Sequence, residues 1–135
     1  MADIRQIIGA GPPLGTRQVT LFIPSVDRGG AEIDQSQWRE TALTVLGYLF
    51  RGATAFPPGR GVWRDDARGG GLVFDDTVLV TSYVSDEDFT EHRLRHLRSF
   101  LHRLGRESNQ GEVGVIISGS YYGITTFDHP TGGPA

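Results

Sequence analysis

The chain contains no cysteine among its 135 residues, and no run of apolar residues long enough to cross a membrane. Without cysteine, disulfide frameworks, thiolate nucleophiles and thiolate zinc sites are excluded. The longest apolar runs, such as Val78–Val80 and Val115–Ile117, are far shorter than the roughly 20 residues of a membrane-spanning helix. The amino terminus carries an early acid and lacks the basic and apolar regions of a signal peptide. We therefore expect a cytoplasmic protein that makes no contact with a membrane.

Lysine is also missing, so all thirteen residues counted as lysine or arginine are arginine. A guanidinium group is a planar fork that can bind a carboxylate or a phosphate through two hydrogen bonds. The formal net charge is −3, which gives no overall positive field to attract nucleic acid. Any anion site must therefore be local, and nucleic acid is not an expected partner.

The length predicts a single domain that is large enough to bury a core. The apolar fraction of 38% and the charged fraction of 21% are typical of a globular protein. Glycine and proline are frequent near the amino terminus, which predicts an arm there. We expect an N-terminal arm over residues 1–16, one domain over residues 17–127 and a tail over residues 128–135.

Apolar residues alternate in some segments and recur at helical spacing in others. Asp34, with Gln37 three residues later, predicts the start of a first helix. In chain order we predict a strand over 17–26, a helix from Asp34 to Phe50, and strands over 61–65 and 72–84. A second helix is opened by Ser85, with Asp88 at its capping-box position, and ended by Gly105 or Gly111. Two strands that meet at Ser118 follow.

This order of elements predicts an α+β fold, the ferredoxin-like plait built on a split βαβ unit. Two helices would cover one face of an antiparallel sheet, with an extra hairpin strand at the carboxyl end. Apolar residues such as Phe22, Leu79 and Tyr83 also occupy the opposite face, where a sheet in water should be polar. We therefore expect a homodimer that forms through this sheet face. A ligand or the N-terminal arm lying there is the alternative.

Three short motifs resemble those of a group of small bacterial and phage proteins. They are Phe50-Arg51-Gly52-Ala53-Thr54, Gly61-Val62-Trp63 and Gln110-Gly111-Glu112-Val113, similar to FGGAT, GxW and QxxV. The similarity spans about residues 19–124 and departs from the pattern at Arg51, where a second glycine is expected. The resemblance implies an αβ-plait fold and no particular activity.

The segment Phe50–Gly71 is the first candidate site, because it is long for a connection and combines glycines, two prolines, four arginines and a tryptophan. Glycine lets a backbone approach an anion closely, and arginine can neutralise it. The segment lacks the GK[ST] of a phosphate-binding P-loop. The structural alternative is that its arginines pair with Asp65, Asp66 or Glu107. Together with a polar residue after the second helix, the candidate ligand-binding residues are Arg51, Thr54, Arg60, Trp63, Arg64 and Gln110.

Catalytic groups are harder to identify in this sequence. His102 lies near the margin of an apolar stripe, where partial burial would tune its pKa, and Glu107 follows it on the same helix. These two residues are the weak catalytic candidates. Packing is the alternative for His102, and capping the helix end or satisfying loop backbone is the alternative for Glu107 and Gln110. His92 and His96 stand four residues apart, with no obvious third ligand nearby except Glu91 or Asp88. We therefore predict no metal site and no cofactor.

Two hypotheses about function follow. The first is a non-enzymatic, oligomeric binding or assembly module that recognises a small anionic ligand or a protein partner through residues 50–71. The alternative is a metal-independent enzyme that acts on a phosphate-bearing, nucleotide-like substrate. In that case Arg51, Arg60 and Arg64 would hold the charge, and His102 or Glu107 would move a proton.

Overall fold

A computed structural model describes residues 2–130, so Met1 and residues 131–135, which make up most of the predicted tail, lie outside the described residues. The helices are α1 (Ile4–Ile8), α2 (Gln35–Phe50) and α3 (Glu91–Glu107). The strands are β1 (Arg17–Ile23), β2 (Thr54–Ala55), β3 (Gly59–Asp65), β4 (Gly71–Val84), β5 (Val113–Ile117) and β6 (Ser120–Ile124). No helix within residues 2–130 is long and apolar enough to cross a membrane.

The six strands form one antiparallel sheet in the order β2-β4-β1-β5-β6, and β3 also pairs with β4. The central strand β1 lies between β4 and β5, and β6 extends the sheet as a hairpin partner of β5. The predicted ferredoxin-like plait with an extra C-terminal hairpin strand is therefore confirmed.

The core lies between the sheet and the two long helices. The predicted cap of α2 is present, because the Asp34 side chain accepts a hydrogen bond from the Gln37 N–H at 3.1 Å. Each helix turns its apolar stripe toward the sheet. The buried apolar residues are Val19, Leu21, Ile23, Ala42, Leu46, Phe50, Val78, Val80, Val84, Leu97, Phe100, Leu101, Leu104, Val113 and Val115.

The predicted bounds of α3 are wrong at both ends. The helix begins at Glu91 after the cap Thr90, because the carbonyl of Ser85 accepts hydrogen bonds from Asp88 and Phe89 in a separate turn. It ends at Glu107 rather than at a glycine. Asn109 takes a left-handed conformation there, with φ of 52°.

The segment 50–71 contains the predicted strand as β3, which starts at Gly59 rather than Gly61, and also the short strand β2, which was not predicted. β3 pairs with β4 from Gly59–Thr77 to Asp65–Gly71. Pairing between β1 and β4 stops at Ile23–Val78, just before Pro24, which has no N–H to donate. Residues 59–77 therefore form a two-stranded extension of the sheet, which we name the distal hairpin.

The face of the sheet away from α2 and α3 is named the open face. The β1–β4 register places Gln18 opposite Tyr83, Thr20 opposite Thr81, and Phe22 opposite Leu79 on this face. The first pair joins a polar side chain to an aromatic one, the second pair is polar, and the third pair is apolar. The open face is less uniformly apolar than the sequence suggested, and its polar residues lie at the centre of the sheet.

Candidate functional site

A broad groove crosses the open face at the end where β1 begins and β4 ends, and it holds about 1330 Å³. Its floor is formed by side chains of β1, β4 and β5, and its walls by residues 13–16, the chain that follows α2, and the turn before α3. The lining residues that matter below are Gly15, Gln18, Thr20, Arg51, Thr54, Phe56, Leu79, Thr81, Tyr83, Asp86, Glu87, Asp88 and Ile116.

Three polar side chains meet on the floor of the groove. The hydroxyls of Thr20 and Thr81 lie 2.9 Å apart, and the Gln18 amide donates to the Thr81 hydroxyl at 3.1 Å. The Thr81 hydroxyl can also donate to the carbonyl of Val19 at 3.3 Å. Thr20 is nearly buried, at 7% exposure, so this cluster is held in fixed positions. Such a cluster can offer oriented donors and acceptors to a bound molecule.

Apolar side chains surround this polar cluster. Leu79, Ile116 and Phe56 belong to the groove lining, and the Tyr83 ring is exposed at its side. A mainly apolar lining with a few fixed polar groups is typical of sites for small molecules. The groove can therefore contact a flat apolar surface and make directional hydrogen bonds at the same time.

Arg51 lies on the groove wall in an unusual backbone conformation. It caps the carboxyl end of α2 with φ of 75° and ψ of −6°, the left-handed region that favours glycine. A non-glycine residue there costs about 1–2 kcal/mol. Another interaction must offset this cost, and the Arg51 side chain provides one.

The Arg51 guanidinium binds the carboxylate of Asp88, with Nε 2.8 Å from Oδ2. The Asp88 side chain is only 4% exposed, whereas that of Arg51 is 75% exposed. Arg93 approaches the other carboxylate oxygen at 3.6 Å. Asp88 is thus a buried anchor that positions an exposed guanidinium at the groove.

Two further carboxylates lie beside Asp88 on the same turn. Asp86 accepts a hydrogen bond from the Thr16 hydroxyl at 2.9 Å and pairs with Arg17 at 3.3 Å. Glu87 is exposed and makes no side-chain hydrogen bond to any residue that the structure describes. Three acids and three arginines therefore surround this end of the groove, because Arg93 also lies beside Asp88. Their charges balance, and Glu87 is the acid that has no arginine partner in the described chain.

The N-terminal segment is held against the groove by close packing. The Thr16 N–H donates to the carbonyl of Val84 at 3.1 Å. A Cβ atom at Gly15 would lie 3.0 Å from the backbone of Tyr83, so the segment passes this strand at a distance that suits glycine. This contact makes residues 13–16 a fixed wall of the groove.

The predicted ligand-binding residues are divided between two places. Arg51 and Thr54 line the groove, and Thr54 lies opposite Thr81 in the sheet. Arg60, Trp63 and Arg64 lie on β3 in the distal hairpin and are not part of the groove lining. The structure thus brings together only the first two of these five residues.

The two arginines of β3 have partners on the distal hairpin itself. The Arg60 guanidinium lies 4.7 Å from the centre of the Phe74 ring, and Arg64 pairs with Asp66 at 2.5 Å. The ion pair between Arg64 and Asp66 agrees with the structural alternative for this segment, in which its arginines pair with nearby acids.

Gln110 lies apart from both places and is buried. Its amide nitrogen donates to the carbonyls of Val26 and Ser108 at 3.0 and 3.1 Å. It therefore ties the end of α3 to the chain that follows β1. This geometry corresponds to the alternative that Gln110 satisfies loop backbone.

His102 and Glu107 lie on α3, outside the groove lining. The Nδ1 atom of His102 accepts a hydrogen bond from the backbone N–H of Asp128 at 2.8 Å. Burial lowers the pKa of His102, although the Asp128 carboxylate opposes this effect. Glu107 pairs with Arg103 at 3.1 Å.

His92 and His96 are neighbours on α3, with ring centres 4.8 Å apart. Within residues 2–130 there is no cluster of three or more histidine or acidic side chains that could hold a metal ion.

Several lining residues were not singled out from the sequence, namely Gln18, Thr20, Thr81 and Asp88. Thr20 and Thr81 are 61 residues apart, and only the register of β1 against β4 brings them together. Asp88 was assigned to the start of a helix, because its spacing from Ser85 matches a capping box. A signal was present at Arg51, where the chain departs from the glycine of the motif that it resembles.

Neither a protein-family model nor a curated protein matches the sequence. Among solved structures, the chain is similar to a phage SAM lyase in complex with S-methyl-5′-thioadenosine. The TM-score is 0.59 at 18% identity, over 83% of this chain and 91% of that one. A phage SAM lyase in the apo state matches with a TM-score of 0.56 at 19% identity, over 89% and 98% of the two chains. At this level of identity the likeness shows a shared fold.

Proposed function

We propose that the groove on the open face binds a small adenosine-like nucleoside that carries sulfur at its 5′ carbon. The observation that carries this proposal is the fixed polar cluster of Gln18, Thr20 and Thr81 within an otherwise apolar floor. A purine ring offers a flat face to apolar side chains, and its edge and the ribose offer hydrogen-bonding groups. The two halves of such a ligand match the two kinds of surface in the groove.

The local charges favour a neutral or cationic ligand over a phosphate-bearing one, because the arginines at this end of the groove are already paired with carboxylates whereas Glu87 is not. Arg17 pairs with Asp86, and Arg51 and Arg93 both lie beside Asp88. Carboxylates accept hydrogen bonds from ribose hydroxyls and attract a sulfonium or an ammonium group. Arg51 can bind the carboxylate of an amino-acid portion. S-adenosylmethionine combines all of these features, and S-methyl-5′-thioadenosine keeps the ribose and the 5′ sulfur without the charged groups.

The fold likeness supports the same choice of ligand. A protein with this fold, a phage SAM lyase, is seen in complex with S-methyl-5′-thioadenosine. That likeness alone does not identify a ligand at 18% identity, so the support comes from its agreement with the groove's own chemistry.

Isothermal titration calorimetry tests the proposal with S-methyl-5′-thioadenosine, S-adenosylmethionine, adenosine and adenosine monophosphate. We expect the first two to bind in the groove and the monophosphate to bind more weakly than adenosine. Thr81→Val removes a floor hydroxyl while keeping the side-chain shape. Loss of one hydrogen bond costs about 0.5–1.5 kcal/mol, or roughly 2- to 12-fold in affinity.

Thr41→Val is the matched control, because Thr41 lies half-buried on α2 outside the groove lining, and its hydroxyl donates only to the Gln37 carbonyl of its own helix. Its affinity should equal that of the wild type. Absence of binding at millimolar ligand, or equal weakening by Thr81→Val and Thr41→Val, would overturn the proposed site. Tighter binding of the monophosphate would instead support the small anionic ligand that the sequence predicted.

A second candidate function is that the bound ligand is also a substrate. The observation that favours it is Glu87, an exposed carboxylate on the groove with no side-chain partner in the described chain. Such a group is free to act as a general base that takes a proton from a water molecule as this water attacks the amino-acid carbon bonded to the sulfonium. A C–O bond forms, the C–S bond breaks with its electron pair left on sulfur, and the products are S-methyl-5′-thioadenosine and homoserine. Chromatography of S-adenosylmethionine incubated with the protein would detect released S-methyl-5′-thioadenosine. We expect Glu87→Gln to abolish this release while ligand binding is kept. If the wild type releases no product, the second candidate function is wrong and the protein only binds the ligand.

A further inference from the structure

The distal hairpin (residues 59–77) is a two-stranded ribbon with a free edge. Within residues 2–130, β3 pairs with β4 alone. The backbone N–H and C=O groups along its outer edge therefore have no strand partner. An isolated two-stranded ribbon is marginally stable in water, and a free strand edge readily pairs with another strand.

This hairpin also exposes large apolar side chains. Val62 and Phe74 lie opposite each other with exposures of 52% and 53%, next to Leu72 at 64%. Trp63 on β3 is 49% exposed. Natural edge strands usually carry charge or proline to prevent pairing, whereas the middle of β3 carries neither. The hairpin thus has the features of a contact surface.

We propose that the distal hairpin binds a second copy of this chain, with β3 pairing antiparallel to β3 of that copy around a two-fold axis. The two hairpins would form a continuous four-stranded ribbon. The hairpin suits such a self-complementary contact because it carries exposed charges of both signs, including Arg60, Arg64, Asp66 and Asp76.

The charges also select a register. An axis at Val62 would place Arg60 opposite Arg64 of the second copy, and like charges directly opposite each other destabilise a sheet. An axis at Trp63 brings the two tryptophans together and places Arg60 beside Asp66, the residue that directly follows β3 in the second copy. The register centred on Trp63 is therefore favoured.

Light scattering coupled to size-exclusion chromatography tests this contact between about 1 and 200 μM protein. We expect a wild-type dimer. Val62→Lys places a second cation opposite Arg64 of the other copy and should give a monomer with an unchanged circular-dichroism spectrum. Tyr48→Lys is the control, because Tyr48 is exposed on α2 and is not part of the distal hairpin, and this variant should stay dimeric.

Disulfide cross-linking tests the register itself, since the chain contains no cysteine. We expect Trp63→Cys to form a covalent dimer under mild oxidation and Tyr48→Cys to form none. A wild type that is monomeric throughout the range would overturn the proposal. It would also be overturned by a dimer that survives Val62→Lys and dissociates with Leu79→Lys, because that result locates the contact on the open face, as the sequence predicted.

Discussion

Substitutions at Arg51 separate a backbone effect from a side-chain effect. At φ of 75° a glycine is unstrained, whereas alanine pays the left-handed cost of about 1–2 kcal/mol. Both variants lose the ion pair with Asp88. Because the Arg51 side chain is 75% exposed, we take that pair at about 1 kcal/mol or less. Arg93 remains near Asp88 in both variants.

These magnitudes predict the order of the free energies of unfolding of the variants. Arg51→Gly should have a free energy of unfolding within about 1 kcal/mol of the wild type, since the relief of backbone strain offsets the lost pair. Arg51→Ala should be less stable than Arg51→Gly by about 1 kcal/mol. Urea titrations followed by circular dichroism can measure both differences.

The same variants test the role of the Arg51 side chain in binding. Both should weaken S-adenosylmethionine more than adenosine, because only the former has a carboxylate for the guanidinium to bind. Calorimetry on Arg51→Gly gives the clearer result, since its fold stability is kept. Equal stability of the glycine and alanine variants would refute the left-handed backbone, and unchanged affinities would remove Arg51 from the site.

Two further predictions concern the contact between α3 and the chain after β6. Burial lowers the pKa of His102 in the folded state below its ordinary value of about 6.5, against the opposing Asp128 and with Arg98 and Arg106 nearby. Below about pH 6.5 the folded protein thus binds fewer protons than the unfolded chain. The contribution of His102 to the free energy of unfolding should therefore be complete above about pH 6.5 and should be lost as the pH falls through the folded pKa. His102→Gln should flatten this part of a thermal-melting series from pH 5 to 8, and an unchanged slope would contradict the cause. Gly105→Ala would put a methyl group into the Phe127 ring and should cost about 1–3 kcal/mol by chemical denaturation. At Gly47 an added Cβ would meet nothing within 4 Å, so Gly47→Ala should instead stabilise α2 by about 0.5–1 kcal/mol. Equal changes in the free energy of unfolding for the two alanine variants would contradict the close packing of Gly105 against Phe127.

Much of the fold could be predicted because local patterns and global topology agree. The stripes of α2 and α3 and the alternation of β1 and β4 each specify one buried face. The start of α3 could not be predicted, because Ser85 and Asp88 form a capping-box pattern that a separate turn also satisfies. The contacts of the Asp88 side chain with Arg51, which is distant in sequence, and with Arg93 show that this carboxylate does not cap the helix.

The candidate site was predicted only in part, for a related reason. Arg51 and Thr54 were found through local composition, but Thr20 and Thr81 are ordinary strand residues until the register places them face to face. Arg60 and Trp63 belong to the same glycine-rich segment as Arg51, yet the β3–β4 pairing carries them onto the distal hairpin. Sequence proximity therefore did not give spatial proximity in this segment.

The open-face groove as a nucleoside site is tested most directly by two-dimensional ¹H–¹⁵N NMR during titration with S-methyl-5′-thioadenosine. Backbone amide shifts should change at Gln18, Thr20, Arg51 and Thr81, with residues 59–77 unaffected at the concentration used. Shifts confined to residues 59–77, or none at saturating ligand, would contradict the groove as the binding site.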